Sequence, residues 1–518
     1  MSRLDKLIVL VAALLLLGGM TKCATEPVRI DSGLISGAND KSGVTAYLGI
    51  PFAPPPVGPL RWRPPQPAAH WEDVRQADHF GASCMQAEPG SRLPWSEEFM
   101  THGALSEDCL FVNVWTAAKS AREKRAVMVF IYGGGFSEGS SSVAVYNGAE
   151  LAKKGAVVVT FNYRVGPLGF LVHPDLTKES PHHSSGNYGL LDQIAALEWV
   201  HRNIDSFGGD ADRVTIFGQS AGAISVANLM RSPLAKGLFA RAIAESGPGL
   251  FPENLHGGGM TLEQREQQGL KYVESKGAHS LAELRALPAS DFFMPAPGSR
   301  GEPSVIGLPV IDGWVLTAEH PAHEAPLIVG MVAGDAAFAS GFGPPAEPTV
   351  VSYTSIAEKT YGDRAATFLK LYPVEKDDDV AAARRASQTD RARVSLDVWC
   401  EDQVKRSGRI YTYFFDHAIP WPAHPEFGAF HSSEVPYVFE TITLLDRSWK
   451  LVDFKISEMM AAYWSNFAKA GDPNASGLPR WPIYEPDSHI TMELGEHAGP
   501  IPEADPAKVE FFLNYFKK

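Results

Sequence analysis

The sequence predicts an α/β protein built on a large, mostly parallel central sheet flanked by helices. Three observations predict it: continuous β-branched runs, helical patterns between them, and no repeat or low-complexity linker dividing the 518 residues. "AVMVFIYGGG" (126–135) and "AVVVTFNYR" (156–164) are uniformly apolar and β-branched, and read as strands buried on both faces. "LLDQIAALEWVHRNI" (190–204) then sets apolar residues at helical spacing. "RVTIFG" (213–218) is another buried strand, and "AISVANLMRSP" (223–233) is a helix closed by Pro233. "RAIAESG" (241–247) and "APLIVGMV" (325–332) continue the series. Strands alternating with helices imply a sheet covered on both faces, with ligands beyond the carboxyl ends of its strands. The stretches around 250–320 and 345–420 are more helical and irregular, and are expected to cap that edge. Residues 25–518 therefore read as one domain with cap insertions.

Bulk composition narrows the function classes. A hydrophobic content of 45% supplies ample core for a globular chain, and 39 prolines imply many ordered surface loops. The formal charge of −14 argues against a nucleic-acid partner, which would require clustered Lys and Arg. At the N-terminus, Arg3 and Lys6 precede an apolar run from Leu7 to about Gly19, then small and polar residues. That is the pattern of a secretory signal over about 1–24, too short for a comfortable membrane span. Export to the periplasm or medium is the expectation; Lys22 disfavours lipid anchoring at Cys23. No other stretch is apolar enough to span a bilayer. Cys84 and Cys109 bracket a loop rich in charge and proline and are expected to pair, as suits an exported protein. Cys400 has no evident partner and is expected to be a buried thiol, and the cysteine spacings give no zinc site.

"RVTIFGQSAGAIS" carries G-x-S-x-G as Gly218, Ser220 and Gly222. Such a pattern is not rare in a glycine-rich chain, but here it ends a strand and opens a helix. That is the setting of a nucleophile on a strained strand-to-helix turn, where flanking side chains would collide. The helix N-terminus adds free N–H groups and the positive end of its dipole. A serine nucleophile also needs donors aimed at a developing oxyanion. Two glycine triplets compete for that role: "HGGGM" (256–260) lies beyond the serine, whereas "YGGGF" (132–136) directly follows an earlier strand. The second donor set in such a site comes from a loop after an earlier strand. The backbone N–H groups of Gly134, Gly135 and Ala221 are therefore the expected oxyanion hole.

At this point the chain resembles the type B carboxylesterase family, which includes the cholinesterases and bile-salt-activated lipase. The resemblance is carried by "YLGIPFAPPPVGPLRWRPPQP", "SEDCLFVNVW", "IYGGGFSEGSSS", "NYRVGPLGFL", "GNYGLLDQIAALEWVHRNIDSFGGDADRVTIFGQSAGAIS", "GAFHSSEVPYVF" and "YWSNFAKAGDPN", which run almost end to end. It implies an α/β-hydrolase fold, Ser220 as nucleophile and a Cys84–Cys109 disulfide, and it supports the same oxyanion hole. Among the sixteen histidines, His431 in "GAFHSSEVPYVF" occupies the family's catalytic position. It would accept the Ser220 proton and return it to the leaving alcohol.

The family's acid is usually a Glu in G-x-N-x-D-E-G after a buried strand. Laid on that pattern without a gap, "GMVAGDA" puts Asp335 at the Glu position, with Val332, Gly334 and Ala336 replacing the Asn, Asp and second Gly. Aspartate is one methylene shorter, so its loop must come nearer His431. Asp312, Glu324 and Glu434 are weaker candidates for the acid. Gln219 stands beside the nucleophile where cholinesterases carry Glu, and Trp95 is off register for their choline-facing indole, so it reads as an ordinary packed aromatic. The resemblance implies a serine carboxylesterase acting on a small-molecule ester without metal or organic cofactor. A lipase is the nearest alternative, and a non-catalytic adhesion member of the same fold the alternative of another class. Neither the ester nor the oligomeric state follows from the sequence.

Overall fold

The computed structural model describes residues 23–39, 42–88, 92–250, 260–294, 307–318, 325–336 and 347–516. Residues 1–22 of the expected leader, the 256–259 part of "HGGGM" and Glu324 lie outside them. The main sheet is formed by β1 (Cys23–Ala24), β2 (Ala38–Asn39), β3 (Thr45–Pro51), β4 (Phe111–Thr116), β5 (Arg125–Ile131), β6 (Val157–Phe161), β7 (Gly209–Gln219), β8 (Arg241–Glu245), β9 (Leu327–Val332), β10 (Ile410–Phe415), β11 (Ile490–Leu494) and β12 (Gly499–Pro502). Their spatial order is β1-β2-β3-β4-β6-β5-β7-β8-β9-β10-β11-β12. From β6 to β11 every neighbouring pair is parallel, and antiparallel strands close both ends. The last two residues of the expected leader are thus a strand, paired with β2.

Residues of the central strands are buried on both faces, which explains their unbroken apolar runs: Val127 to Ile131, Val157 to Val159 and Leu327 to Val332 are almost wholly inaccessible. The helix α1 (Tyr188–Asn203) follows β6, and α2 (Ala221–Arg231) follows β7 and stops just before Pro233. Strand β7 begins at Gly209, four residues before the apolar run. Its first half is partly solvent-accessible, so Asp210, Asp212 and Arg213 concealed it.

Further along lie α3 (Leu262–Ser275), α4 (Val350–Tyr361), α5 (Ala365–Leu371) and the long α6 (Asp377–Ser407). With α8 (Pro506–Phe516), α4, α5 and α6 enclose a second apolar cluster around Tyr353, Phe368 and Phe512; α7 (Leu451–Ala470) packs on the sheet. The expected cap at 345–420 is corrected at its end: Ile410–Phe415 is β10, a fully buried strand of the sheet. Only Gly408 and Arg409 separate its aromatic run "IYTYFF" from a 31-residue helix, and so short a junction hid the change of period.

Strand register places the chemistry. Ile131 pairs with Gly218, so the glycine loop after β5 emerges beside the turn after β7. Gln219 pairs with Glu245, Glu245 with Gly330, and Val332 with Phe415. Five loops, after β5, β7, β8, β9 and β10, therefore leave the same edge side by side. Two buried ion pairs brace this edge from the flanks: Arg164 to Asp192 at 2.8 Å and Arg61 to Glu107 at 2.6 Å. They join "NYRVG" to "GLLDQ" and "LRWRP" to "SEDCL". Cys84 and Cys109 form a disulfide, and Cys400 is a buried free thiol. Among the described residues no helix is long and apolar enough to cross a membrane.

Candidate active site

Ser220 sits between β7 and α2 with φ 59° and ψ −123°, a conformation that L-residues avoid. The turn is forced by contact. A Cβ on Gly222 would lie 1.9 Å from the Ile131 carbonyl oxygen, so only glycine lets the first turn of α2 rest on the end of β5. Gly133 is also tightly packed: a Cβ there would stand 2.7 Å from the Gln219 carbonyl oxygen and 3.0 Å from the Ser220 Cβ. The N–H groups of Gly134 and Gly135 bond no described backbone acceptor, and the Ala221 N–H opens a helix, where N–H groups are left over.

His431 lies in the loop after β10, and its Nδ1 meets Asp335 Oδ1 at 2.5 Å. The Asp335 carboxylate is fully buried, and its Oδ2 accepts the Val332 N–H at 2.8 Å. An Nδ1–H donated to Asp335 leaves the Nε2 lone pair for a proton from elsewhere. The Gln219 amide nitrogen lies 3.2 Å from Nε2 and 3.5 Å from Nδ1. Near-equal distances put it against the ring, since a donor in line with Nε2 would be much farther from Nδ1. Its carbonyl accepts from Ser432 Oγ at 3.1 Å. Gln219 thus braces the imidazole from beside the serine, a contact that sequence reasoning missed. Trp95 packs against the core as expected, and its indole also donates to the His431 carbonyl at 3.1 Å and lines the cavity beside it.

The departures around Asp335 have a physical reason. The Gly334 N–H donates to the Ala429 carbonyl at 2.8 Å, and a Cβ there would stand 2.5 Å from that oxygen. A glycine in place of the family's Asp lets the acid loop press onto the backbone that carries His431. This close approach compensates for the shorter aspartate. Asp312 is elsewhere: its Oδ1 accepts from the backbone of Trp314, Val315 and Leu316, and its Oδ2 from Ser184 Oγ.

Glu434 is not bonded to His431 either; its Oε1 accepts from Ser246 Oγ at 3.1 Å. It is fully buried with Glu245, whose Oε1 accepts from the Trp464 indole at 2.6 Å. Burial, then the charges of Asp335 and Glu245, push Glu434 well above the usual carboxylate range. Burial pushes Glu245 up to about 7. Protonated, these two add no negative charge around Asp335.

Two outcomes follow. Gly334→Ala should push Asp335 from His431 and lower kcat roughly 10²-fold with little change in KM; an unchanged kcat would contradict the close-approach account. Between pH 4.5 and about 7 the folded chain holds a proton at Glu245 that the unfolded chain has released. Stability therefore falls as pH rises through this window and levels above it. Glu245→Gln cannot ionise and should show a shallower fall in thermal denaturation; an identical slope would contradict the assignment.

Comparison with known proteins places the chain in a family. Residues 24–511 match the Carboxylesterase family. The chain is 37% identical over 489 residues to fumonisin B1 esterase of Sphingopyxis macrogoltabida, covering 90% of this chain and 86% of that protein. It is 34% identical to para-nitrobenzyl esterase of Bacillus subtilis (strain 168), covering 90% and 94%. A solved structure of PNB esterase superposes with a TM-score of 0.76 at 30% identity, covering 94% of this chain and 99% of that one. With a glycine-flanked serine, a carboxylate-bound histidine and this likeness along nearly its whole length, the chain belongs to the carboxylesterase family and is a carboxylic ester hydrolase of the α/β-hydrolase fold.

Proposed function

We propose that the enzyme cleaves its ester through an acyl intermediate on Ser220. His431 Nε2 takes the hydroxyl proton as Oγ attacks the carbonyl carbon. The oxyanion is met by the N–H groups of Gly134, Gly135 and Ala221, placed at the strand edge where they cost no reorganisation. Collapse expels the alcohol, which leaves with the proton from His431. Water then gives a proton to His431 and attacks the acyl carbon, and His431 returns that proton to Ser220 Oγ as the acid is released. Asp335 holds the ring tautomer and balances the imidazolium charge at each step. The observation that carries the reading is the buried 2.5 Å contact between Asp335 and His431, beside a serine held in strained backbone.

Residues 25–518 act in this reading as one catalytic domain with cap insertions around 250–320 and 345–409, and of their described helices α6 lines the cavity beside His431. The disulfide supports export of the chain, with residues 1–24 as the leader. The related proteins' names include a fumonisin esterase and a para-nitrobenzyl esterase, which supports small esters as substrates without selecting one.

Ser220→Ala should abolish hydrolysis of a short aryl ester while the circular dichroism spectrum stays unchanged; full residual activity would remove Ser220 from the mechanism. Asp335→Asn should lower kcat by about 10⁴-fold, because a neutral amide favours the other imidazole tautomer. If Asp312→Asn were the damaging change, the acid would have been misassigned.

A further inference from the structure

A cavity of about 480 Å³ opens beside His431 and the Asp335 loop. Much of its wall is apolar, from Leu93, Trp95, Phe427, Phe430 and Ala336. One side differs. Arg385, Gln388 and Thr389 of α6 line it together, spaced i, i+3 and i+4 on one helix face. Among the described residues none of these three side chains forms a hydrogen bond, and Arg385 has no carboxylate within 4.0 Å. Arg385 is an exposed side chain beside the partly buried Gln388 and Thr389, and with no partner for the three among the described residues the arrangement suits an anion. The cavity's own carboxylate, Glu426, is an exposed side chain that already accepts from His424 at 3.1 Å.

Resting on the esterase reading, we propose that Arg385, with Gln388 and Thr389, selects esters that carry a second, free carboxylate. The guanidinium fork binds both oxygens of that group, which a neutral acyl chain cannot offer. The apolar wall holds the connecting chain, and the scissile carbonyl lies towards Ser220. Arg385 is thus a specificity residue and takes no part in bond making.

The test compares para-nitrophenyl hexanoate with mono-para-nitrophenyl adipate, acyl groups of equal length of which one ends in a carboxylate. The readout is the ratio of their kcat/KM values, corrected for spontaneous hydrolysis. Arg385→Gln should lower the adipate-to-hexanoate ratio by about tenfold, chiefly through KM, the size expected for a charge-assisted hydrogen bond in a partly solvated site. Arg385→Lys should restore part of the ratio, since it keeps the charge but loses the fork. A ratio unchanged in Arg385→Gln, or equal losses on both esters, would overturn the proposal. If the wild-type enzyme hydrolyses neither ester, the esterase reading itself fails and this proposal falls with it; activity on both with an unresponsive ratio removes the carboxylate preference alone.

Discussion

The site depends on one close approach, the first turn of α2 laid against the end of β5. Gly222 rests on the Ile131 carbonyl with no room for a side chain. That contact forces the chain to reverse within one residue, and Ser220 takes the strain with φ 59°. The same contact draws the glycine loop after β5 to the serine, so the proposed nucleophile and the proposed oxyanion donors are positioned by a single piece of packing. The parallel register from β5 to β10 then delivers the other groups to the same edge. Rigid strands fix where the loops begin: Asp335 stands three residues beyond the end of β9 at Val332, and His431 lies in the longer loop after Phe415.

A second constraint is electrostatic. Asp335 shares a dry volume with Glu434 and Glu245, and burial penalises each ionised form. The two glutamates respond by rising in pKa, whereas Asp335 is bound by the Val332 N–H and the His431 ring. Three carboxylates crowd this volume, and the two glutamates hold their protons to higher pH than a free carboxylate does. The aspartate's missing methylene is made up by backbone contact at Gly334, so the altered residues around it form one coherent adjustment.

Much of this was legible in the sequence. The buried strands announce themselves by continuous β-branched runs, and Ser220 by glycines at a strand-to-helix junction. His431 and Asp335 were found by register with a known family, since neither a histidine nor an aspartate carries a local signature. Strand β10 escaped because only Gly408 and Arg409 separate its aromatic run from a long helix. The start of β7 escaped because its polar residues extend beyond the covered part of the sheet. The roles of Gln219 and Trp95 depend on contacts across 212 and 336 residues of sequence. No local pattern encodes such distances. The reason for Gly334 likewise appears only when two loops are seen to touch.

The central claim is that Ser220 is a nucleophile activated by His431. Peptide mapping by mass spectrometry after treatment with a fluorophosphonate ester tests it most directly. The account predicts one adduct, on the peptide bearing Ser220, and its near-complete loss after His431→Gln. An adduct on another residue, or undiminished labelling of Ser220 without the imidazole, would contradict it.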